Sequence, residues 1–209
     1  MNEKPLGNIF IVAAPSGGGK TSLVDRLTSS MENITVSVSH TTRAKRPGEI
    51  EGEHYFFVDD GMFKQMVEED AFIEHATVFG YQYGTSHAQI EERLRQGVDV
   101  VLDIDWQGAL QIKRRFPNAI SIFILPPSFE ALRQRLEARR QDNPDVIERR
   151  MQRAQDEMSH YTMFDFLVVN DTFECALADL RAIVLSYRLK LAYQKHKERK
   201  LLSLLLNAQ

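Results

Sequence analysis

Apolar residues gather in four short runs: Ile9-Phe10-Ile11-Val12-Ala13, residues 98–104, residues 120–125 and Phe166-Leu167-Val168-Val169. Each has strand length. None alternates with polar residues as a strand with one wet face would, so all four read as strands buried on both faces. Between them apolar residues recur at helical spacing, as in Leu23, Val24 and Leu27. Strands alternating with helices predict an α/β fold, a parallel sheet flanked by crossover helices. A shorter strand is expected at 35–39. Ligands of such sheets collect at the carboxyl ends of the strands. That rule groups the turn after Ala13 with Asp103, Asp105, Pro126 and Asn170.

Three stretches break the pattern. Residues 37–93 hold Tyr55-Phe56-Phe57-Val58, several Gly turns and many acids, and read as an inserted lobe of short antiparallel strands and helices. Residues 128–155 carry Arg133, Arg135, Arg139, Arg140, Arg149, Arg150 and Arg153, with a turn at Gln141-Asp142-Asn143-Pro144; two helical arms are expected to meet there. From Ala176 to about Leu206 runs one long helical pattern or two. The expected organisation is a single domain: a core of 1–36, 94–127 and 156–209, a lobe at 37–93 and a lid at 128–155.

The turn after the first strand is the most specific local signal. Ala14-Pro15-Ser16-Gly17-Gly18-Gly19-Lys20-Thr21 follows the P-loop pattern G-x-x-x-x-G-K-[ST] except for Ala at the first position. Glycines let backbone N–H groups converge on an anion, and the following helix presents its unpaired N–H groups to it. Lys20 supplies a cation for β- and γ-phosphates, and the Thr21 hydroxyl can ligate Mg²⁺. Asp103 closes a buried strand beside this loop, the usual second support for Mg²⁺ and its waters.

The 209 residues are 43% hydrophobic, which suffices for an ordinary core. A net charge of −3 gives no basic footprint for nucleic acid. The single cysteine, Cys175, excludes an internal disulfide and suggests a reducing compartment. No apolar run is long enough to span a membrane. Met1-Asn2-Glu3-Lys4-Pro5 lacks the basic start and apolar core of a signal peptide, so a cytoplasmic protein is expected. The leucine-rich end, Leu201 to Leu206, either folds back on the core or packs against another copy of the chain.

Arg43, Arg46 and Tyr55 can converge on a second anion, for which the planar guanidinium fork is suited. Glu74 follows downstream. In a base pocket its carboxylate can accept both N1–H and the exocyclic N–H₂ of guanine, whereas adenine presents a bare N1 acceptor there. An acceptor without a base, such as a ribose phosphate, would leave Glu74 without a purpose between the Ser39 and Thr85 hydroxyls.

These stretches together resemble guanylate kinases. The likeness rests on residues 14–21, Ser39-His40-Thr41-Thr42-Arg43-x-x-Arg46-Pro47-Gly48-Glu49, Gly52-x-x-Tyr55-x-Phe57, Phe72-Ile73-Glu74, Tyr83-Gly84-Thr85 and Leu102-Asp103-Ile104-Asp105-x-Gln107-Gly108. Phe123-Ile124-x-x-Pro127-Ser128 and Val169-Asn170-Asp171 continue it, in order, to about residue 185. The resemblance implies Mg²⁺-dependent transfer of the ATP γ-phosphoryl group to GMP, with dGMP as a second acceptor, in purine nucleotide metabolism and GMP recycling. It implies ATP contacts at Ala14, Pro15, Ser16, Gly17, Gly18, Gly19, Lys20, Thr21, Ser22, Arg135 and Asn170. It implies GMP contacts at Ser39, Arg43, Arg46, Tyr55, Glu74, Tyr83, Thr85 and Asp105. Lys20, Arg46, Arg139 and Arg150 would act on the transferred group, with Thr21 and Asp103 at the metal. The family usually has glycines flanking the second lid arginine, where this chain has Ala138 and Arg140. Related domains in scaffolding proteins bind phosphopeptides without catalysis, but they typically lack an intact P-loop, which this chain retains.

Overall fold

In a computed structural model of the chain, residues 7–78, 80–138 and 143–206 are described. Five strands form a parallel sheet: β1 (Ile9–Ala13), β2 (Ile34–Val36), β7 (Asp99–Asp103), β8 (Ile120–Leu125) and β9 (Phe166–Val169), in the order β2-β7-β1-β8-β9. Side chains alternate across it. Phe10 and Val12 face the helices α1 (Lys20–Ser29) and α7 (Phe173–Arg188), where Leu23, Leu27, Leu180 and Val184 complete one core. Ile9 and Ile11 face the other way, toward Ile90 of α3 (His87–Arg95) and Ile112 of α4 (Trp106–Arg115). Covering both faces explains why β1, β7 and β8 read as continuous apolar runs; β9 departs from that expectation, because it is an edge strand and leaves Leu167 and Val169 exposed.

A second sheet, ordered β4-β3-β6-β5, is built from β3 (Ser39–Thr41), β4 (Tyr55–Phe57), β5 (Phe72–Val78) and β6 (Tyr81–Ser86). Helix α2 (Asp60–Glu68) packs Phe63 beneath it, against Phe72. The two sheets meet at α4. Gln111 on that helix accepts a hydrogen bond from the His75 backbone N–H at 3.1 Å and donates to the His75 carbonyl at 2.7 Å, which holds β5 against the main body.

Two expectations are corrected here. The 35–39 run is not one strand: residues 34–36 join the main sheet and residues 39–41 open the second. The second sheet is not wholly antiparallel either, because β3 and β4 run parallel. The connection 42–54 is long enough for a parallel crossover, which takes about a dozen residues.

Helices α5 (Phe129–Ala138) and α6 (Pro144–Ser159) pack against each other around Leu132, Leu136, Ile147, Met151 and Ala154. Asn143 caps α6 by accepting from the Val146 N–H, and Pro144 sits at its first turn. The C-terminal pattern divides three ways, because Lys190 is extended (φ −57°, ψ 138°) and ends the run before α8 (Leu191–Lys197) and α9 (Arg199–Leu206). Helix α9 buries no residue, so the terminal leucines do not fold back into the core.

Candidate active site

A cleft of about 700 Å³ runs from the carboxyl end of the parallel sheet to the second sheet. Its floor at one end is the turn after β1. Gly17 and Gly19 both have φ of +89°, a backbone conformation that side chains rarely adopt. Each is also crowded: a Cβ on Gly17 would stand 3.0 Å or less from Leu132 and Leu136 of α5, and one on Gly19 would stand 2.4 Å from the Asn170 amide nitrogen. The Gly18 N–H donates to the Pro15 carbonyl at 2.8 Å, and the Gly18 carbonyl accepts from the Asn170 amide, also at 2.8 Å. Arg135 donates to the Asn170 carbonyl at 2.8 Å. Asn170 is buried and neither it nor Arg135 lines the cleft; both brace the loop from behind.

Helix α1 starts at Lys20, so its free N–H groups and dipole point at the loop. The Lys20 ammonium lies 2.6 Å from Asp103 Oδ1 and donates to the Ile104 carbonyl at 2.7 Å. Thr21 donates to Asp103 Oδ2 at 3.2 Å. Asp103 reaches this point because Val12 and Asp103 are partners in the β1–β7 register. Among the described residues no group of three or more His, Cys, Asp or Glu could hold a metal ion. The Thr21 and Asp103 oxygens are the hard donors that Mg²⁺ takes, and Mg²⁺ uses few protein ligands because it keeps waters and phosphate oxygens.

At the other end, Glu74 points inward from β5 and is 3% exposed. Thr85 donates its hydroxyl proton to Glu74 Oε1 at 2.5 Å, so the Ser39 hydroxyl, 3.2 Å from Thr85, must donate to Thr85 in turn. Burial pushes the Glu74 pKa up to about 7; the Thr85 hydrogen bond opposes this and the Asp105 charge adds to it. The carboxylate rests on Gly108 in the first turn of α4, where a Cβ would come within 2.6 Å of Oε2. Asp105 caps that helix by accepting from the Gly108 N–H at 2.9 Å.

Between the two ends lie Arg43, Arg46, Tyr55 and Tyr83. Arg43 is buried, with its guanidinium 5.3 Å from the Tyr55 ring centre and 2.6 Å from Glu49 Oε1. The other Glu49 oxygen accepts from the Arg46 backbone N–H at 2.7 Å. Burial works against the charge on Glu49, but the hydrogen bonds from Arg43 and Arg46 prevail and hold its carboxyl below the usual range. Burial, then the nearby Asp103 charge, pushes the Tyr55 phenol up to about 12, so it remains a neutral donor. From α6, Arg150 donates to the Ser16 hydroxyl at 2.7 and 3.2 Å.

The structure thus gathers residues 14–22, Ser39, Arg43, Arg46, Tyr55, Glu74, Tyr83, Asp103, Asp105 and Arg150 around one cleft, with Thr85 directly beneath Glu74. Arg139, together with Arg140, lies outside the described residues. Sequence reasoning missed Glu49, which orders the arginine segment, and Gly108, which makes room for Glu74. It also missed Glu157, which accepts from the Ser16 N–H at 2.9 Å. Only the helical spacing from Arg150 and Arg153 marks Glu157 in the sequence.

A P-loop at the carboxyl end of the central strand of a five-stranded parallel sheet, facing a second polar pocket across one cleft, defines a P-loop phosphotransferase. The family model for guanylate kinase matches residues 7–187, and the chain belongs to that family. It is 59% identical over 203 residues to a guanylate kinase of Legionella pneumophila (strain Lens), covering 97% of each chain. It is 54% identical over 202 residues to that of Escherichia coli (strain K12), covering 96% of this chain and 98% of the relative. The crystal structure of guanylate kinase from Anaplasma phagocytophilum superposes with a TM-score of 0.76 at 36% identity, over 90% of this chain and 89% of that one. The protein is therefore an enzyme, a nucleoside monophosphate kinase.

Proposed function

We propose that the enzyme transfers the γ-phosphoryl group of ATP to GMP, giving ADP and GDP. The observation that carries this reading is the buried Glu74 carboxylate, hydrogen-bonded by Thr85 and facing the same cleft as the P-loop. A carboxylate buried at that cost finds its compensation in two N–H donors on one edge of guanine. Ser39 and Thr85 orient it. dGMP carries the same base and phosphate and is a second acceptor.

The chemistry is the making of one P–O bond and the breaking of another, between two anions that repel. The backbone N–H groups of Gly17, Gly19, Lys20, Thr21 and Ser22 and the Lys20 ammonium hold the donor phosphates. Arg43, Arg46, Tyr55 and Tyr83 hold the GMP phosphate, whose oxygen attacks in line while the bridging oxygen leaves with ADP. Arg150 meets the group in flight, with Arg139 assigned the same task by the family motif. Asp105, which lines the same cleft, is assigned to GMP by the family motif. Thr21 and Asp103 would hold Mg²⁺, which would supply positive charge to offset the negative charge of the donor phosphates. Residues 37–93 act as the GMP lobe and 128–155 as a lid, and their closure over the core 1–36, 94–127 and 156–209 excludes water. A cytoplasmic setting and self-association through α9 belong to the same reading; the exposed Leu204 and Leu206, at 72% and 77%, support the second.

The test is product analysis with equimolar ATP and GMP and excess Mg²⁺. GDP and ADP should accumulate in equal amounts, with little inorganic phosphate. ADP and phosphate without GDP would refute the transfer.

A further inference from the structure

Helix α6 presents to the cleft one polar side chain that the proposed chemistry does not use. Glu157 lies in its last turn, is 9% exposed and lines the cleft beside Lys20 and Asp105. One oxygen accepts from the Ser16 N–H at 2.9 Å; the other lies 3.3 Å from Arg153 Nε, one turn back. A carboxylate is unwelcome next to a phosphate site. Burial raises its pKa further, opposed by the Ser16 N–H and the Arg153 and Lys20 charges and assisted by Asp105. Its position demands a compensating role.

Ser16 shows what that role is. It is part of the P-loop, and α6 holds two of its polar groups: Glu157 takes the N–H and Arg150 donates to the hydroxyl. The two residues are seven apart, about two helical turns. The foot of α6 is also anchored on its other side. His160, just past the helix, stacks on Trp106 with ring centres 3.7 Å apart and planes 19° apart. Trp106 opens α4, the helix capped by Asp105 and seated under Glu74.

We propose that Glu157 is a positioning residue. It fixes the foot of α6 to Ser16, so that Arg150, two turns earlier on the helix, meets the phosphates on the P-loop in one register. The charge-assisted N–H···O⁻ bond suits the task because it is strong and directional. The proposal rests on the phosphoryl-transfer reading above.

The experiment compares Glu157→Ala and Glu157→Gln with the parent enzyme, reading kcat, KM for ATP, and GMP affinity by calorimetry. Loss of register by about 1 Å costs on the order of a hundredfold. The Ala variant should therefore lose about 30- to 100-fold in kcat while GMP affinity stays within about twofold. The Gln variant, whose amide oxygen still accepts from Ser16, should recover to within about fivefold of the parent. If the Ala variant does not fold, Glu157→Met, which keeps the side-chain volume, takes its place. Parental kcat in the Ala or Met variant would overturn the proposal. So would a fall in GMP affinity in step with kcat, or a Gln variant as impaired as Ala. A parent enzyme that forms no GDP would instead overturn the functional reading itself.

Discussion

Lys20 and Glu74 sit at opposite ends of the cleft and should fail in different ways. Lys20→Ala removes a largely buried ion pair with Asp103 and the hydrogen bond to the Ile104 carbonyl, so it should stay folded with a stability loss of about 1–3 kcal/mol, read by urea unfolding. Its kcat should nevertheless fall by about 10²-fold or more, because a cation aimed at the transferring group is lost. Activity within a few-fold of the parent would contradict its placement. Glu74→Gln turns one acceptor into a donor that faces a guanine N–H. Its GMP affinity should fall by about 1–3 kcal/mol with ATP affinity unchanged, and equal losses for both nucleotides would place Glu74 outside the base pocket. The same substitution has a signature in stability. The folded pKa of about 7 lies above the ordinary carboxyl value of 4.5. Below pH 4.5 folded and unfolded chains both hold the proton, and burial of the neutral acid is fully tolerated. As pH rises toward 7 the unfolded chain releases its proton first, and stability is lost. Gln does not titrate. The stability of Glu74→Gln relative to the parent should therefore rise between pH 4 and pH 8, by at most about 3 kcal/mol. Urea unfolding of the ligand-free proteins at the two pH values checks this; a pH-independent difference would contradict the raised pKa.

At the scale of elements, α4 shows how a local preference yields to a site. Gly108 lies inside the first turn of a helix, where Ala ordinarily stabilises by about 1 kcal/mol. Here a methyl would press on Glu74 Oε2 at 2.6 Å. The carboxylate is the movable end of its side chain, so Gly108→Ala should fold but bind GMP about tenfold more weakly, with KM for ATP unchanged. Unaltered GMP affinity would show that the contact is not tight. The elements differ in how far they were legible in the sequence. The runs 9–13 and 120–125 match their strands because a strand covered on both faces is written as an unbroken apolar run; the run 166–169 matches too, although it forms the edge strand and leaves Leu167 and Val169 exposed. The 98–104 run loses its outer residues, leaving Asp99–Asp103. The 35–39 stretch was misread because nothing between Val36 and Ser39 signals a turn. The chain there passes from one sheet to the other, and the Ser37 N–H still pairs with the Val101 carbonyl at 2.9 Å. The P-loop was legible because its glycines, Lys20 and Thr21 are contiguous. Glu157 was not, because its partner Ser16 is 141 residues away.

For the whole molecule, the P-loop and the Glu74 pocket lie on separate sheets joined through α4, with the α5–α6 pair seated on the P-loop. The C-terminal helices stand apart from this machinery. α8 and α9 bury no residue, and Leu189, Leu191, Leu204 and Leu206 are each more than two-thirds exposed. Truncation after Lys200 should leave GMP kinase activity within about twofold and lower the mass in solution, as expected if the leucines pair copies of the chain. An inactive or unfolded truncation would tie the tail to the core, and an unchanged mass would remove it from assembly. The central claim concerns base choice, and acceptor selectivity measures it most directly. With saturating ATP and Mg²⁺, kcat/KM is measured for GMP, AMP, CMP and UMP. A pocket built to receive N–H donors leaves its buried carboxylate unpaired with the wrong base, so GMP should exceed each of the others by about a thousandfold or more. Comparable values for GMP and AMP would contradict the assignment of Glu74 and its hydroxyl partners to guanine.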